Sequence, residues 1–177
     1  MNSFKEKMWK ACIDFHGHKC PGLAIGYKVA LYAIELLDIE FSVDEDVVCI
    51  AENDACGIDA LQVILGCTAG KGNLFFHITG KSAYTFFHRS SGRSVRIVQN
   101  THSEMDRETY FRYLMYNDPS NLFHVTETRL NLPEKAPHFD SYICDCCGES
   151  AGSKWIRLRE GKKYCLDCYQ DFDRFHI

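Results

Sequence analysis

Apolar positions along the chain fall into blocks of two periods, helical blocks first and strand-like blocks after them. Residues 2–11 form a short helical block. Over Pro21–Asp38, Leu23, Tyr27, Ala30, Leu31, Ile34 and Leu37 recur at helical spacing with Lys28 and Glu35 elsewhere, which predicts one long helix. Pro21 suits its first turn, where the missing N–H costs nothing. VVCIA at 47–51 reads as a strand, and Gly57–Leu65 as a second helix stopped by Gly66. NLFFHITG, SAYTFFHRS and SVRIVQN are β-rich, with a hairpin turn expected at Thr79–Ser82. The Phe-Phe-His pairs at 75–77 and 86–88 are then expected on adjacent strands. Residues 104–116 read as a helix and 122–128 as a last strand.

Strands and helices alternate without βαβ regularity, which predicts an α+β core over residues 1–130: a mixed or antiparallel sheet with packed helices. A proline-containing stretch of mixed polarity at 131–141 reads as a linker. Residues 142–177 are expected to form a small zinc-binding module of the ribbon or treble-clef kind. Its hairpin would turn at Glu160-Gly161, and YQDFDRF would add a short helix.

Composition narrows the function classes. With 46% hydrophobic and 25% charged residues the chain is globular, and a net charge of −4 argues against bulk nucleic-acid binding. No run has the apolar length of a leader or a membrane span, so a cytoplasmic protein is expected. Ten cysteines in a reducing compartment point to metal binding or thiol chemistry rather than a disulfide framework. They fall into two groups, one before position 68 and one after 143.

The later group holds the strongest pattern. Cys144 and Cys147 form one C-x-x-C, Cys165 and Cys168 another, with seventeen residues between the pairs. Four thiolates at this spacing suit a tetrahedral structural Zn2+, with Cys146 as a bystander. Such an ion would stabilise a segment too short to build its own core.

The earlier group centres on FHGHKCPG. If Pro21 begins the helix, Cys20 is its N-cap, where unsatisfied N–H groups and the helix dipole favour an anion. His16 and His18 lie just upstream, and imidazoles suit zinc, nickel or iron. A second segment, AENDACGIDALQVILGCTAGKGN, puts Cys56 at a helix N-terminus and Cys67 past its C-terminus. At about 1.5 Å per residue, eleven residues of helix span roughly 16 Å, so Cys56 and Cys67 cannot share an ion. Cys56 is therefore the expected partner of His16, His18 or Cys20, with Cys20 either a ligand or a reactive thiol. Asp54 or Asp59 would orient a ligand or act as a base. GCTAGKG lacks the spacing and hydroxyl of a phosphate loop; Lys71 reads equally as an anion contact or as part of a surface loop. Cys12 and Cys49 are expected to be buried, and Arg89, Arg93 and Arg96 to form a solvated or subunit-facing surface.

FHGHKCPGLAIGYKVA, ENDACGIDALQVILGCTAGKGNL and the paired C-x-x-C together resemble the FmdE-like family of formylmethanofuran dehydrogenase subunits. The resemblance implies an α+β core, commonly dimeric, with an appended zinc module. It also implies association with molybdenum- or tungsten-dependent one-carbon oxidoreductases and their subunits. Carried over by motif, His16, His18, Cys20, Cys56, Cys67 and Lys71 are the expected pocket residues. Two other function classes stay open: a zinc module docking a protein or nucleic-acid partner, and a thiol–disulfide oxidoreductase using Cys20 and Cys56.

Overall fold

Helix α1 (Ser3–His16) continues past residue 11, where the sequence pattern ends it, and stops at Gly17. Gly17 has φ +88°, a value that favours glycine, and its N–H bonds the Ile13 carbonyl at 2.8 Å to close the last turn. The computed structural model describes residues 3–102 and 104–170, and it divides between Lys135 and Ala136 into two units.

In the first unit, helix α2 (Pro21–Leu37) is the central element. Its expected apolar side is only part of what it buries. Leu23, Ala24, Tyr27, Ala30 and Ala33 are sealed, whereas Leu31 and Ile34 are half-buried, so the helix is covered nearly all round. Helix α3 (Gly57–Leu65) crosses it at backbone distance. A Cβ on Gly26 would lie 2.0 Å from the Gly57 carbonyl oxygen, so no other residue fits there without moving α3. Helix α4 (Arg107–Tyr116) starts at Asp106, whose carboxylate accepts from the N–H groups of Glu108 and Thr109, and α5 (Pro119–Leu122) is one turn.

The sheet contains β1 (Val47–Ala51), β2 (Leu74–Phe76), β3 (Ala83–His88), β4 (Arg93–Gln99) and β5 (Phe123–Thr126), in the order β2-β1-β3-β4-β5. Strand β1 pairs parallel with β2 and antiparallel with β3, and the remaining pairs are antiparallel. The expected hairpin at Thr79–Ser82 is thereby corrected. β1, buried along its whole length, lies between β2 and β3, so Phe75 and Phe86 are on strands that do not touch. The N–H groups of Thr79 and Gly80 instead both bond the Glu52 carbonyl at 3.0 Å. The parallel pair needs a crossover, and α3 supplies it.

The two faces of the sheet differ. Cys49, Ala51, Tyr84, Phe86, Val95 and Ile97 join the core under the helices. Val48, Ile50 and Phe87 form a smaller cluster with Phe75 and Leu130 on the other face. Arg96 alternates with Val95 and Ile97 and so lies on that second face, only 4% exposed. It is not the solvated arginine that the sequence suggests. Its Nε donates to Glu52 Oε1 at 2.6 Å and its Nη2 to Oε2 at 3.0 Å. Arg93 is also engaged, donating to the Leu36 and Leu37 carbonyls at the end of α2, and Arg89 Nε donates to the Glu45 carbonyl.

The second unit contains two small hairpins, β6 (Ser141–Ile143) with β7 (Ser150–Gly152) and β8 (Ile156–Arg159) with β9 (Lys162–Cys165). A 3-10 turn at Ser153–Trp155 joins them. The second hairpin turns at Glu160 and Gly161, both at positive φ as a two-residue turn requires. Cys144 is the one buried residue among the described residues of this unit. Most of the expected YQDFDRF helix lies outside the described residues. Among the described residues no helix is long and apolar enough to cross a membrane.

Candidate metal centres

In the second unit, Sγ atoms of Cys144, Cys147, Cys165 and Cys168 all lie within 4.8 Å of one another. Cys147 Sγ and Cys165 Sγ are 3.9 Å apart. A tetrahedral ion with metal–sulfur bonds of about 2.3 Å requires a sulfur–sulfur edge of about 3.8 Å, so the four thiols fit such an ion. Each C-x-x-C turn is closed locally: the Gly148 N–H bonds the Cys144 carbonyl, and the Cys168 N–H bonds the Cys165 carbonyl. Across the turns the Asp145 N–H donates to the Lys163 carbonyl at 2.8 Å, and the Lys163 N–H donates to Asp145 Oδ2 at 2.6 Å. These bonds bring the two turns together.

The thiols also differ in how readily they ionise. Backbone N–H groups of Cys147 and Cys165 hold the Cys144 thiol down to about 6. Hydrogen bonding to Cys165 and Cys147 pushes Cys168 up. Adjacent thiolates repel, so one ionises at the expense of another until a cation neutralises them. Cys146 is exposed and stands outside the group.

In the first unit, one donor atom each from His16, Cys20 and Cys56 lies within the same 4.8 Å limit. Three chain features place them. Gly17 ends α1 directly after His16. Cys20, in extended conformation, caps α2, and its Sγ accepts from the Leu23 N–H at 3.3 Å. Cys56 directly precedes α3, whose close crossing carries it to the start of α2; a Cβ on Gly22 would stand 3.0 Å from Cys56 Cβ. His16 Nε2 is 3.8 Å from Cys20 Sγ, close to the nitrogen–sulfur edge of a tetrahedral site, about 3.5 Å. On its other side His16 Nδ1 is 2.7 Å from Asp59 Oδ2, and Gln62 Nε2 donates to Asp59 Oδ1 at 3.2 Å. With the proton on Nδ1, donated to the carboxylate, Nε2 is free to face the thiols. Burial pushes the Cys56 thiol up, and its hydrogen bond to Cys20 adds to the rise.

Other expected pocket residues lie elsewhere. Cys67 is sealed behind the far end of α3, its Sγ 3.7 Å from the Val47 carbonyl oxygen, and burial raises it to about 12. Lys71 donates to the Ser42 carbonyl at 2.6 Å and lies over the Phe41 ring, so it tacks one loop to another. Asn73, fully buried, completes that seam with bonds to the Asp44, Val47 and Gly66 carbonyls. Asp54 is exposed and outside the donor trio. His18 packs its ring 4.4 Å from that of His16 and is not one of the three donors.

Two positioning features escape a reading of ligand types. Asn53 shapes the loop before Cys56, its Nδ2 donating to the Lys81 carbonyl at 2.9 Å and its Oδ1 accepting from the Ala55 N–H at 3.1 Å. Glycines at 22 and 26, one helical turn apart on α2, open the surface on which Cys56 and α3 rest. Their four-residue spacing in GLAIG is the sequence signal for such an approach.

Fold and donor sets together define a metal-binding α+β protein with thiolate-rich clusters in separate units. Residues 15–126 match the profile described as "FmdE, Molybdenum formylmethanofuran dehydrogenase operon", and the chain belongs to that family. It is 30% identical over 190 aligned positions to a "Probable S-adenosyl-L-methionine-binding protein" of Archaeoglobus fulgidus, covering 88% of this chain. The chain spans about half the length of that relative, 50%. Its fold is similar to that of a "tungsten formylmethanofuran dehydrogenase subunit e (fmde)-like protein" from Syntrophus aciditrophicus, with a TM-score of 0.69. That match has 22% identity and covers 85% of this chain and 86% of the other.

Proposed function

We propose that this protein carries two metal ions of different purpose and is accessory to, or derived from, a molybdenum- or tungsten-dependent one-carbon oxidoreductase system. Cys144, Cys147, Cys165 and Cys168 hold a structural Zn2+. His16, Cys20 and Cys56 hold a second transition metal, zinc, nickel or iron, with Asp59 orienting the imidazole. The observation that carries the reading is the convergence of one imidazole and two thiols from three chain segments within 4.8 Å, with a carboxylate behind the imidazole. His16, Cys20 and Cys56 would hold the ion with three protein donors, and it would supply Lewis-acid chemistry to a small molecule there. The chain's own part is positional: Asp59 keeps the His16 proton on Nδ1, the Leu23 N–H steadies the Cys20 sulfur, and Gly22 leaves room beside Cys56. The oxidoreductase association is supported by the family description, which names a molybdenum formylmethanofuran dehydrogenase operon.

The proximity of Cys20 and Cys56 also supports a second reading, a reversible disulfide in place of the ion. Metal analysis of Cys144→Ala/Cys147→Ala protein separates the two. Retention of about one ion per chain is expected for a three-donor site. A folded variant free of metal, with Cys20 and Cys56 cycling between thiol and disulfide, would replace the metal reading.

A further inference from the structure

The second face of the sheet carries a polar pocket of about 160 Å³ that neither donor cluster uses. Glu52, Thr79, Lys81, Thr85, Arg96 and Arg129 line it. These side chains bring three cations and one carboxylate, and the carboxylate is already occupied. Glu52 accepts two bonds from Arg96 and one from Thr79 Oγ1 at 2.9 Å, which holds its carboxyl below the usual range. Lys81 and Arg129 have no ion pair or side-chain hydrogen bond among the described residues. The pocket is therefore left with excess positive charge.

Two buried donors add to it independently. Thr85, 1% exposed, has a hydroxyl with no hydrogen-bond partner among the described residues. Arg96 makes three hydrogen bonds, to Glu52 twice and to Thr126 once, and a guanidinium has five N–H groups. The Thr85 hydroxyl lines the pocket, and a ligand that accepts from it adds a hydrogen bond.

We infer that this pocket binds a small oxoanion, a phosphate group or a carboxylate, held by Lys81 and Arg129 with the Thr85 hydroxyl and the remaining Arg96 N–H groups as donors. Planar or tetrahedral oxygens suit a guanidinium fork, and a neutral ligand would leave the excess charge unanswered. Lys81 is tied through its carbonyl to Asn53, so the pocket borders the loop that carries Cys56.

Titration of inorganic phosphate and, separately, acetate into the 177-residue protein at low chloride tests the assignment by calorimetry or amide shifts. Saturable binding of at least one anion is expected; a preference for phosphate marks a tetrahedral group and a preference for acetate a carboxylate. Lys81→Ala/Arg129→Ala should weaken binding by about tenfold or more, and Thr85→Val by about threefold, with thermal midpoints checked for each. Cys56→Ser should leave the affinity unchanged. Neither anion saturating, equal affinity in Lys81→Ala/Arg129→Ala, or loss of binding in Cys56→Ser would overturn the assignment, the last because the anion would then sit on the core metal.

Discussion

In the C-terminal unit four thiols arrive on two tight turns, each spelled out by a C-x-x-C, and almost nothing else there is buried. In the core unit three donors come from the end of one helix and the starts of two others, and they border a developed apolar core around α2 that Cys20 itself joins. An ion held by the first arrangement would be part of folding; one held by the second would need the fold in place beforehand. A small segment with a single buried residue among its described residues gains little from burial to offset its conformational entropy, and a bound metal would supply the difference. The core site, by contrast, inherits its geometry from the backbone approach of α2 and α3.

The largest effect expected from this contrast is on chelation. Structural zinc contributes on the order of 10–16 kcal/mol in small zinc modules, so a strong chelator should unfold residues 136–170 and leave the core intact. Limited proteolysis or amide spectra read this directly; equal protection of both units would break the comparison. Next is the buried Arg96–Glu52 pair, which belongs to the core's own stability. Glu52→Gln strands a buried guanidinium and should cost about 3–5 kcal/mol in denaturant unfolding of the core. The same pair sets an acid dependence. Arg96 hydrogen bonds lower the folded-state value of Glu52, so its contribution is full above the unfolded carboxyl value of about 4.3. It is lost as the pH falls through the lowered folded value, and Glu52→Gln protein should lack that segment of the stability–pH curve.

A smaller effect sharpens the geometry. Gly26→Ala forces a methyl against the Gly57 carbonyl and should cost about 2–3 kcal/mol, at the upper end of overpacking. By parting α2 from α3 it should also empty the core site while the four-cysteine site stays filled, which metal analysis would show. Smallest is Asp59→Asn. Loss of the carboxylate behind His16 should weaken core metal affinity about 10–100-fold with an unchanged thermal midpoint in metal-free protein. Equal affinity in the two proteins would remove Asp59 from the site.

How much of this is legible in the sequence follows the same contrast. The four cysteines need only local turns to meet, so spacing alone identifies them as a group. His16 and Cys20 are four residues apart around a glycine and are also a local matter. Cys56 joins them through the α2–α3 crossing, which GLAIG hints at and helix length helps to select by separating Cys67. Cys67 and Lys71, grouped with the pocket by motif, lie apart from the donor trio at the far end of α3, where Lys71 and Asn73 fasten the 41–47 segment. The Thr79-Gly80 turn signal suggests the wrong strand order, because those N–H groups serve the Glu52 carbonyl, and the parallel β1–β2 pair depends on a crossover no local signal reveals. Arg96 reads as solvent-facing because alternation tells which face a residue occupies, not whether that face is covered. Its partner Glu52 is 44 positions away.

Metal stoichiometry of wild-type and Cys56→Ser protein, measured with the fold checked by amide spectra, tests the central claim most directly. Wild type should carry about two ions per chain and the variant about one, the remaining ion being lost only when the C-terminal cysteines are replaced. Identical metal content in the two proteins would contradict a core site built on His16, Cys20 and Cys56.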